Sequence, residues 1–191
     1  MLHRDDSSFP VEAFGNALRE QAENGKVRRL GVSNWTMERF RTLHEYFTAT
    51  PHELAVFSNR FSLGEMVTPT WLGCLAMTRD DIGELGDLGV EALAWASLAA
   101  GYFAGRSISS WNHPKNEARR DRASHLAKEF GASPATIALA YVLHQPPNVR
   151  AAIGTRSIAH LEQAMLARTV ELSPAQIAWL ENGEAEPSVG P

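Results

Sequence analysis

One stretch decides the fold of this chain: Val27-Arg28-Arg29-Leu30-Gly31-Val32-Ser33-Asn34-Trp35-Thr36. Its residues 27–32, with Val27, Leu30 and Val32, predict a buried strand. The periodic pattern over residues 9–24 predicts a helix before that strand, with Ser8 as its cap and Gly25 at its end. Ser33 and Asn34 follow the strand directly, and Thr36 is placed to cap the next helix. The stretch therefore predicts a helix–strand–helix unit with polar groups at the carboxyl end of the strand.

The same alternation continues along the rest of the chain. Further strands are predicted over residues 54–57, 90–96 and 149–153. Further helices are predicted over residues 36–47, 79–88, 115–130, 134–144, 157–167 and 174–182, and residues 101–114 are predicted to form a long loop. Because each return between parallel strands needs a crossover, this order indicates a parallel α/β sheet. We predict one domain over residues 1–183 and a polar C-terminal tail over residues 184–191.

Composition narrows the class of partner. The 191 residues carry a formal net charge of −4, so there is no basic excess to attract nucleic acid. No uncharged apolar stretch is long enough for a membrane span, and the single cysteine, Cys74, favours the cytoplasm. The histidines lack metal-ligand spacing, so no metal site is predicted. A small-molecule ligand is the partner that composition favours.

Two architectures fit the alternation, a doubly wound open sheet and a (β/α)8 barrel. No Gly-x-Gly-x-x-Gly pattern follows a strand, which counts against the usual dinucleotide-binding open sheet. Polar residues instead follow each predicted strand: Ser33, Asn34, Ser58, Asn59, Ser97, Thr155 and Arg156. Strand ends that share one edge would build one site. Because four strands and a stub do not close an eight-stranded barrel, we predict a partial (β/α)8 TIM barrel.

Five segments carry a resemblance to a known family. The segment Arg29-Leu30-Gly31-Val32-Ser33-Asn34-Trp35 is similar to the Gly-Val-Ser-Asn signature of aldo-keto reductases. Four more resemble, in the family's order, the ends of its fourth, sixth, seventh and eighth strands: Leu2-His3-Arg4-Asp5-Asp6, Ser58-Asn59-Arg60-Phe61-Ser62-Leu63, Ala94-Trp95-Ala96-Ser97-Leu98-Ala99-Ala100-Gly101 and Ile153-Gly154-Thr155-Arg156-Ser157. By resemblance, the chain is the C-terminal part of such a barrel, roughly strands 5–8 with their helices.

The resemblance implies a reaction. Aldo-keto reductases transfer a hydride between NADP(H) and an aldehyde or ketone, so a carbonyl or alcohol substrate is implied. A Tyr acts as general acid, tuned by Lys and Asp, and a His orients the substrate. Only that His has a counterpart here, His3, because the Asp, Tyr and Lys belong to the first three strands, upstream of Met1. The isolated chain is therefore expected to lack turnover.

The resemblance places the nicotinamide at four residues. Ser33 and Asn34 would hydrogen-bond its carboxamide, and so would Ser58, which stands where the family usually has Gln. Trp95 would stack on the ring. The residues themselves also allow a structural role: Ser33 and Asn34 as caps of the helix that begins near residue 36, and Trp95 as a core side chain.

The resemblance also assigns residues to the phosphates and the adenine side of the cofactor. Leu98 and Gly101 match a loop near the pyrophosphate. Gly154, Thr155 and Arg156 would hold the 2′-phosphate at a helix N-terminus, which favours NADP over NAD. His160 stands where Arg is common in the family.

Three readings of the whole chain stay open at this point. It is a fragment or truncated product of an NADP-dependent reductase, or a non-catalytic module that binds nucleotide or a partner. In the second case its exposed barrel edges would pair with another chain or with a second copy. The third reading is an unrelated open α/β enzyme.

Overall fold

The computed structural model describes residues 1–145 and 149–184. Its helices are α1 Val11–Glu23, α2 Met37–Thr48, α3 Arg79–Asp87, α4 Pro114–Glu129, α5 Pro134–Leu143, α6 Ile158–Leu166 and α7 Pro174–Asn182. Its strands are β1 Leu30–Ser33, β2 Leu54–Ser58, β3 Glu91–Ala94 and β4 Val149–Ala151. The predicted loop at 101–114 is partly helical, because 3-10 turns cover Ala99–Ala104 and Ser109–Trp111.

The strands form one parallel sheet in the order β1-β2-β3-β4, which confirms the predicted alternation. Leu2 extends the sheet beyond β1: its N–H donates to the Gly31 carbonyl at 2.9 Å, and its carbonyl accepts from the Ser33 N–H at 2.8 Å. All carboxyl ends therefore point to one edge. Among the described residues the sheet does not close on itself, so β4 and the Leu2 segment lie at its two borders.

Strand β1 is shorter than predicted. Pairing begins only at Leu30, which lies opposite Leu54, the first residue of β2. The Arg28 and Arg29 side chains before it are exposed. An apolar pattern does not reveal where the neighbouring strand starts, so the sequence could not place this boundary.

Helix starts were predicted well where a side chain caps the helix. Thr36 caps α2, and Ser133, Ser157 and Ser173 cap α5, α6 and α7. The assignment of Ser8 as the cap of α1 is wrong: Pro10 holds that position without a side-chain bond, and Ser8 donates to Asp6 Oδ1 at 2.6 Å. The Ser8 N–H and hydroxyl both donate to Asp6 Oδ1, so Ser8 is held in its own turn and does not accept from the helix N–H groups.

The core lies between the sheet and the helices. Phe40 of α2 meets Phe57 of β2 edge to face, with ring centroids 4.8 Å apart, and both side chains are fully buried. Ile137 and Val142 of α5 are also fully buried. The helices cover this side of the sheet. The polar residues that follow the strands lie at the edge formed by the carboxyl ends of the strands, the rim.

The described part of the chain contains no helix long and apolar enough to cross a membrane. Within the same residues, no group of three or more His, Cys, Asp or Glu side chains is arranged to hold a metal ion. Of the tail predicted over residues 184–191, only Glu184 belongs to the described residues.

Candidate functional site

Asn34 ties the end of β1 to three neighbouring segments. Its Nδ2 donates to the His3 carbonyl at 3.2 Å and to Ser33 Oγ at 3.1 Å, and its Oδ1 accepts from the Leu75 N–H at 3.3 Å. Its own N–H donates to the Ser58 carbonyl at 3.1 Å. The backbone is left-handed, with φ 56°, a conformation that Asn tolerates better than most residues. The residue is 7% exposed, so this network lies below the surface of the rim.

Ser33 and Ser58 lie in the same network. Both are buried, and Ser58 Oγ donates to the Leu93 carbonyl of β3 at 2.9 Å. The helix-cap alternative for Ser33 and Asn34 is wrong, because Thr36 caps α2. The three predicted carboxamide ligands are thus brought together, with their hydrogen bonds directed at neighbouring strands. A ligand there would use the acceptor capacity that the two hydroxyls retain.

His3 and Trp95 lie at the rim beside this network. His3 is exposed, and its carbonyl is held by Asn34. The Trp95 N–H donates to the Asn59 carbonyl at 3.3 Å, which fixes the residue just past the end of β3. Its ring is half-buried, and its buried Nε1 has no hydrogen-bond partner within the described residues. A buried indole N–H without an acceptor is uncommon, and Trp35 Nε1 of the core shares this state.

A cleft of about 400 Å³ collects a second group of predicted residues. Leu98, Gly101, Gly154, Thr155 and His160 all line it. It lies between the loop that follows β3 and the turn from β4 into α6. The Ser97 hydroxyl holds these two walls together by donating to the Ala152 carbonyl at 2.8 Å.

The loop wall of this cleft has a strained backbone. Ala96, Ala99 and Ala100 have φ values of 52°, 47° and 53°. Each costs roughly 1–2 kcal/mol relative to a right-handed conformation. Gly101 follows with φ 90°, and a Cβ there would lie 2.7 Å from Arg106 Cδ. Strain of this kind persists where a site needs a defined backbone shape.

Arg106 is the residue that sequence reasoning missed. It lines the cleft, and its Nη1 donates to the Ala100 carbonyl at 3.2 Å. The signal was present, because it is the one Lys or Arg in the sequence of residues 101–114. Arg106 therefore adds a fixed positive charge to the loop wall.

The opposite wall ends at the first turn of α6. Ser157 caps the helix by accepting from the His160 N–H at 3.4 Å, and Thr155 Oγ1 accepts from the Ser157 N–H at 3.1 Å. Arg156 is exposed in the same turn, outside the residues that line the cleft. A helix N-terminus carries partial positive charge, so this wall also favours an anion.

The charge of the cleft has one sign. Arg106 and His160 are its ionisable lining residues, and no Asp or Glu is among the described residues that line it. The apolar lining includes Leu98, Ile153 and several alanines. Such a wall suits an anionic ligand with a flat or apolar body.

Three known proteins are similar to this chain. A probable aldo-keto reductase from Glycine max is 29% identical over 90% of this chain, and the chain spans about half (50%) of that relative. Two solved structures share the fold. One is a thermostable aldo-keto reductase with the inhibitor epalrestat (TM-score 0.70, 22% identity, 94% of this chain and 57% of that chain). The other is an aldo/keto reductase from Klebsiella pneumoniae with NADP and acetate (TM-score 0.68, 21% identity, 98% and 59%).

These likenesses give a TIM-barrel-like α/β fold. The family model described as the aldo/keto reductase family matches residues 1–183, which includes the amino-terminal segment as well as the later strands. That match excludes the reading of the chain as an unrelated open α/β enzyme. The chain belongs to the aldo/keto reductase family.

Proposed function

We propose that this chain provides the NADP(H)-binding part of an aldo-keto reductase that interconverts carbonyls and alcohols. The observation that carries the proposal is the cleft whose described lining residues include no carboxylate, with Arg106 on one wall and the capped start of α6 on the other. Family membership and the Klebsiella relative solved with NADP support the choice of cofactor.

The residues present fit such a cofactor. The strained loop at residues 96–101 presents main-chain groups at the cleft, and Arg106 would balance a pyrophosphate charge. Thr155 and the first turn of α6 would receive a 2′-phosphate, with Arg156 alongside. Trp95 would pack on the ring, and the Ser33, Asn34 and Ser58 network would border the carboxamide.

When bound, the cofactor supplies the hydride, and this chain positions it. His3 is exposed at the rim, where it would orient a substrate carbonyl. The tyrosines described here do not suit the acid. Burial raises the pKa of Tyr102 and of Tyr141, and Tyr46 donates to Asn16 Oδ1 on the helical side. We infer that the chain corresponds to strands 5–8 of the barrel and that the Tyr, Lys and Asp lie in the part it does not span.

Fluorescence titration with NADPH and NADH tests this proposal. We expect weak NADPH binding, weaker NADH binding and no reduction of 4-nitrobenzaldehyde. Arg106→Met should reduce NADPH affinity by at least about tenfold, since a charge-assisted contact is worth ~1.5–3 kcal/mol. The exposed Arg28→Met serves as the matched control. Robust turnover, or equal affinity in both variants, would contradict the proposal.

The second candidate is a non-catalytic module that pairs with another copy of itself. The open sheet edges favour it, and so does an apolar face on α6 where Ile158, Leu161 and Met165 are 77%, 44% and 48% exposed. Light scattering after size exclusion distinguishes the two: a dimer that Leu161→Glu dissociates supports self-association, and a monomer at all concentrations refutes it.

A further inference from the structure

An uncharged segment over residues 66–78 connects β2 to α3. At its tip, Trp71 and Leu72 are 60% and 97% exposed. They lie in one tight turn, in which the Cys74 N–H donates to the Trp71 carbonyl at 3.3 Å and Gly73 has φ 77°. Leu72 is the most exposed large apolar side chain of residues 1–145 and 149–184. Two large apolar side chains side by side on a defined turn form a surface that a ligand or partner would cover.

Two side chains hold this tip beside His3. Arg4 Nη1 donates to the Leu72 carbonyl, so the residue after His3 binds the turn directly. The Asn34 amide joins the same two segments: its Nδ2 donates to the His3 carbonyl at 3.2 Å, and its Oδ1 accepts from the Leu75 N–H at 3.3 Å. The tip therefore lies next to His3 at the rim.

The two sides of the segment are also fixed. The Leu75 carbonyl accepts from the Arg60 N–H at 2.9 Å, and the Met77 N–H donates to the Arg60 carbonyl at 2.9 Å, just past the end of β2. On the other side of the tip, the Val67 N–H donates to the Ser110 carbonyl at 2.8 Å. Because the backbone on both sides is anchored, the tip is positioned before a ligand arrives, and binding costs less conformational entropy.

The position of the tip selects the kind of occupant. Further strands of a barrel would pair beside β4 or beside the Leu2 segment, the two borders of the sheet. The tip lies instead on the rim, where barrels of this kind bind their small ligands. Its neighbour there is His3, which is exposed and, under the proposed function, orients the substrate carbonyl. The ligand that contacts both His3 and the tip is then the substrate.

We propose that Trp71 and Leu72 form the wall for the non-reacting body of the substrate, which selects carbonyl compounds with an aromatic or bulky aliphatic body. This inference rests on the proposed function, because that function brings a carbonyl to His3. The indole face and the isobutyl group suit an apolar body. A small polyhydroxylated carbonyl would turn its hydroxyls toward Leu72, which offers them no hydrogen-bond partner.

Fluorine NMR of the full 191-residue chain labelled with 5-fluorotryptophan tests the proposal. The chain has five tryptophans, and the variant Trp71→Phe identifies the Trp71 resonance. With NADP⁺ present, acetophenone should shift that resonance saturably, with a dissociation constant of about 1 mM. Dihydroxyacetone at the same concentrations should leave it in place.

Variants of Leu72 measure the contribution of the wall. Leu72→Ser should weaken acetophenone binding about tenfold, since burial of one leucine side chain accounts for roughly that factor. Leu72→Met keeps an apolar side chain and should bind nearly as the parent chain does. The matched control is Leu88→Ser, which should leave binding unchanged. Leu88 is 37% exposed at the end of α3, before β3 begins, and so lies at the opposite end of the sheet from the rim.

Three results would overturn the assignment of the substrate class. These are equal shifts with acetophenone and dihydroxyacetone, unchanged acetophenone binding in Leu72→Ser, and a Trp71 resonance that moves with protein concentration before ligand is added, which would place a second copy on the tip. If Leu72→Ser fails to fold, as judged by its thermal transition, Leu72→Gln replaces it. Fluorescence titration with NADPH separates the two proposals. NADPH binding without a Trp71 response refutes the substrate wall alone, and absent NADPH binding refutes the proposed function.

Discussion

Gly101→Ala probes the strained wall of the cofactor cleft. Gly101 has φ 90°, and a Cβ there would meet Arg106 Cδ at 2.7 Å. The left-handed backbone should cost about 1–2 kcal/mol. The clash should push Arg106 away and break its bond to the Ala100 carbonyl, which adds about 1 kcal/mol. The sum is roughly 2–3 kcal/mol, equivalent to a fall in melting temperature of about 4–12 °C for a chain of this size.

A double-mutant cycle separates the two contributions. In an Arg106→Ala background, Gly101→Ala should cost only the backbone part, about 1–2 kcal/mol. The matched control is Gly89→Ala, where φ is 71° and no atom beyond the adjacent residues lies within 4 Å of the added Cβ. Its cost should be the same in both backgrounds. Urea unfolding gives the free energies, and a Gly101–Arg106 coupling below about 0.3 kcal/mol would refute the steric argument.

Two further predictions concern the frame around the site. Asn34→Ala should lower the free energy of unfolding by about 3 kcal/mol in urea titrations, because it removes three hydrogen bonds and places Ala at φ 56°. Asn34→Gly should cost about 1 kcal/mol less, because glycine adopts a positive φ without strain. Equal losses in the two variants would contradict the contribution of backbone strain. The Arg41 guanidinium lowers the pKa of Glu84. Because the pKa is lower in the folded state, this ion pair stabilises the fold above the unfolded-state pKa, and the stability is lost as pH falls through the folded-state pKa. Glu84→Gln should therefore cost about 0.2–1 kcal/mol at pH 7 and almost nothing in acid below the folded-state pKa. A stability difference that persists in strong acid would argue against the Arg41–Glu84 ion pair.

Much of the fold could be predicted from local patterns. The helices capped by Thr36, Ser133, Ser157 and Ser173 were found because a cap acts within three residues of chain. The prediction of Ser8 as a cap was wrong because its hydroxyl donates to Asp6, an equally local partner. Strand limits were harder to predict, because β1 starts where β2 offers a partner and that partner is 24 residues away at Leu54.

The site shows the same division. Leu98, Gly101, Gly154, Thr155 and His160 were singled out by resemblance, and the structure gathers them into one cleft. Whether Ser33, Asn34, Ser58 and Trp95 bind a cofactor stays a prediction. The hydrogen bonds of Asn34, Ser33 and Ser58 form where neighbouring segments meet at the carboxyl ends of parallel strands. That meeting is a property of the three-dimensional fold.

Local sequence was enough for the helix–strand order, for the caps at Thr36, Ser133, Ser157 and Ser173, and for the Ser33-Asn34 pair that follows β1, since each depends on neighbours a few residues apart. Tertiary packing was needed to show that Arg106 shares a cleft with Thr155 and that Asn34 joins His3 to Leu75. Those relations join residues 30 to 50 positions apart. Tertiary packing fixes these relations, and no local sequence pattern encodes that packing.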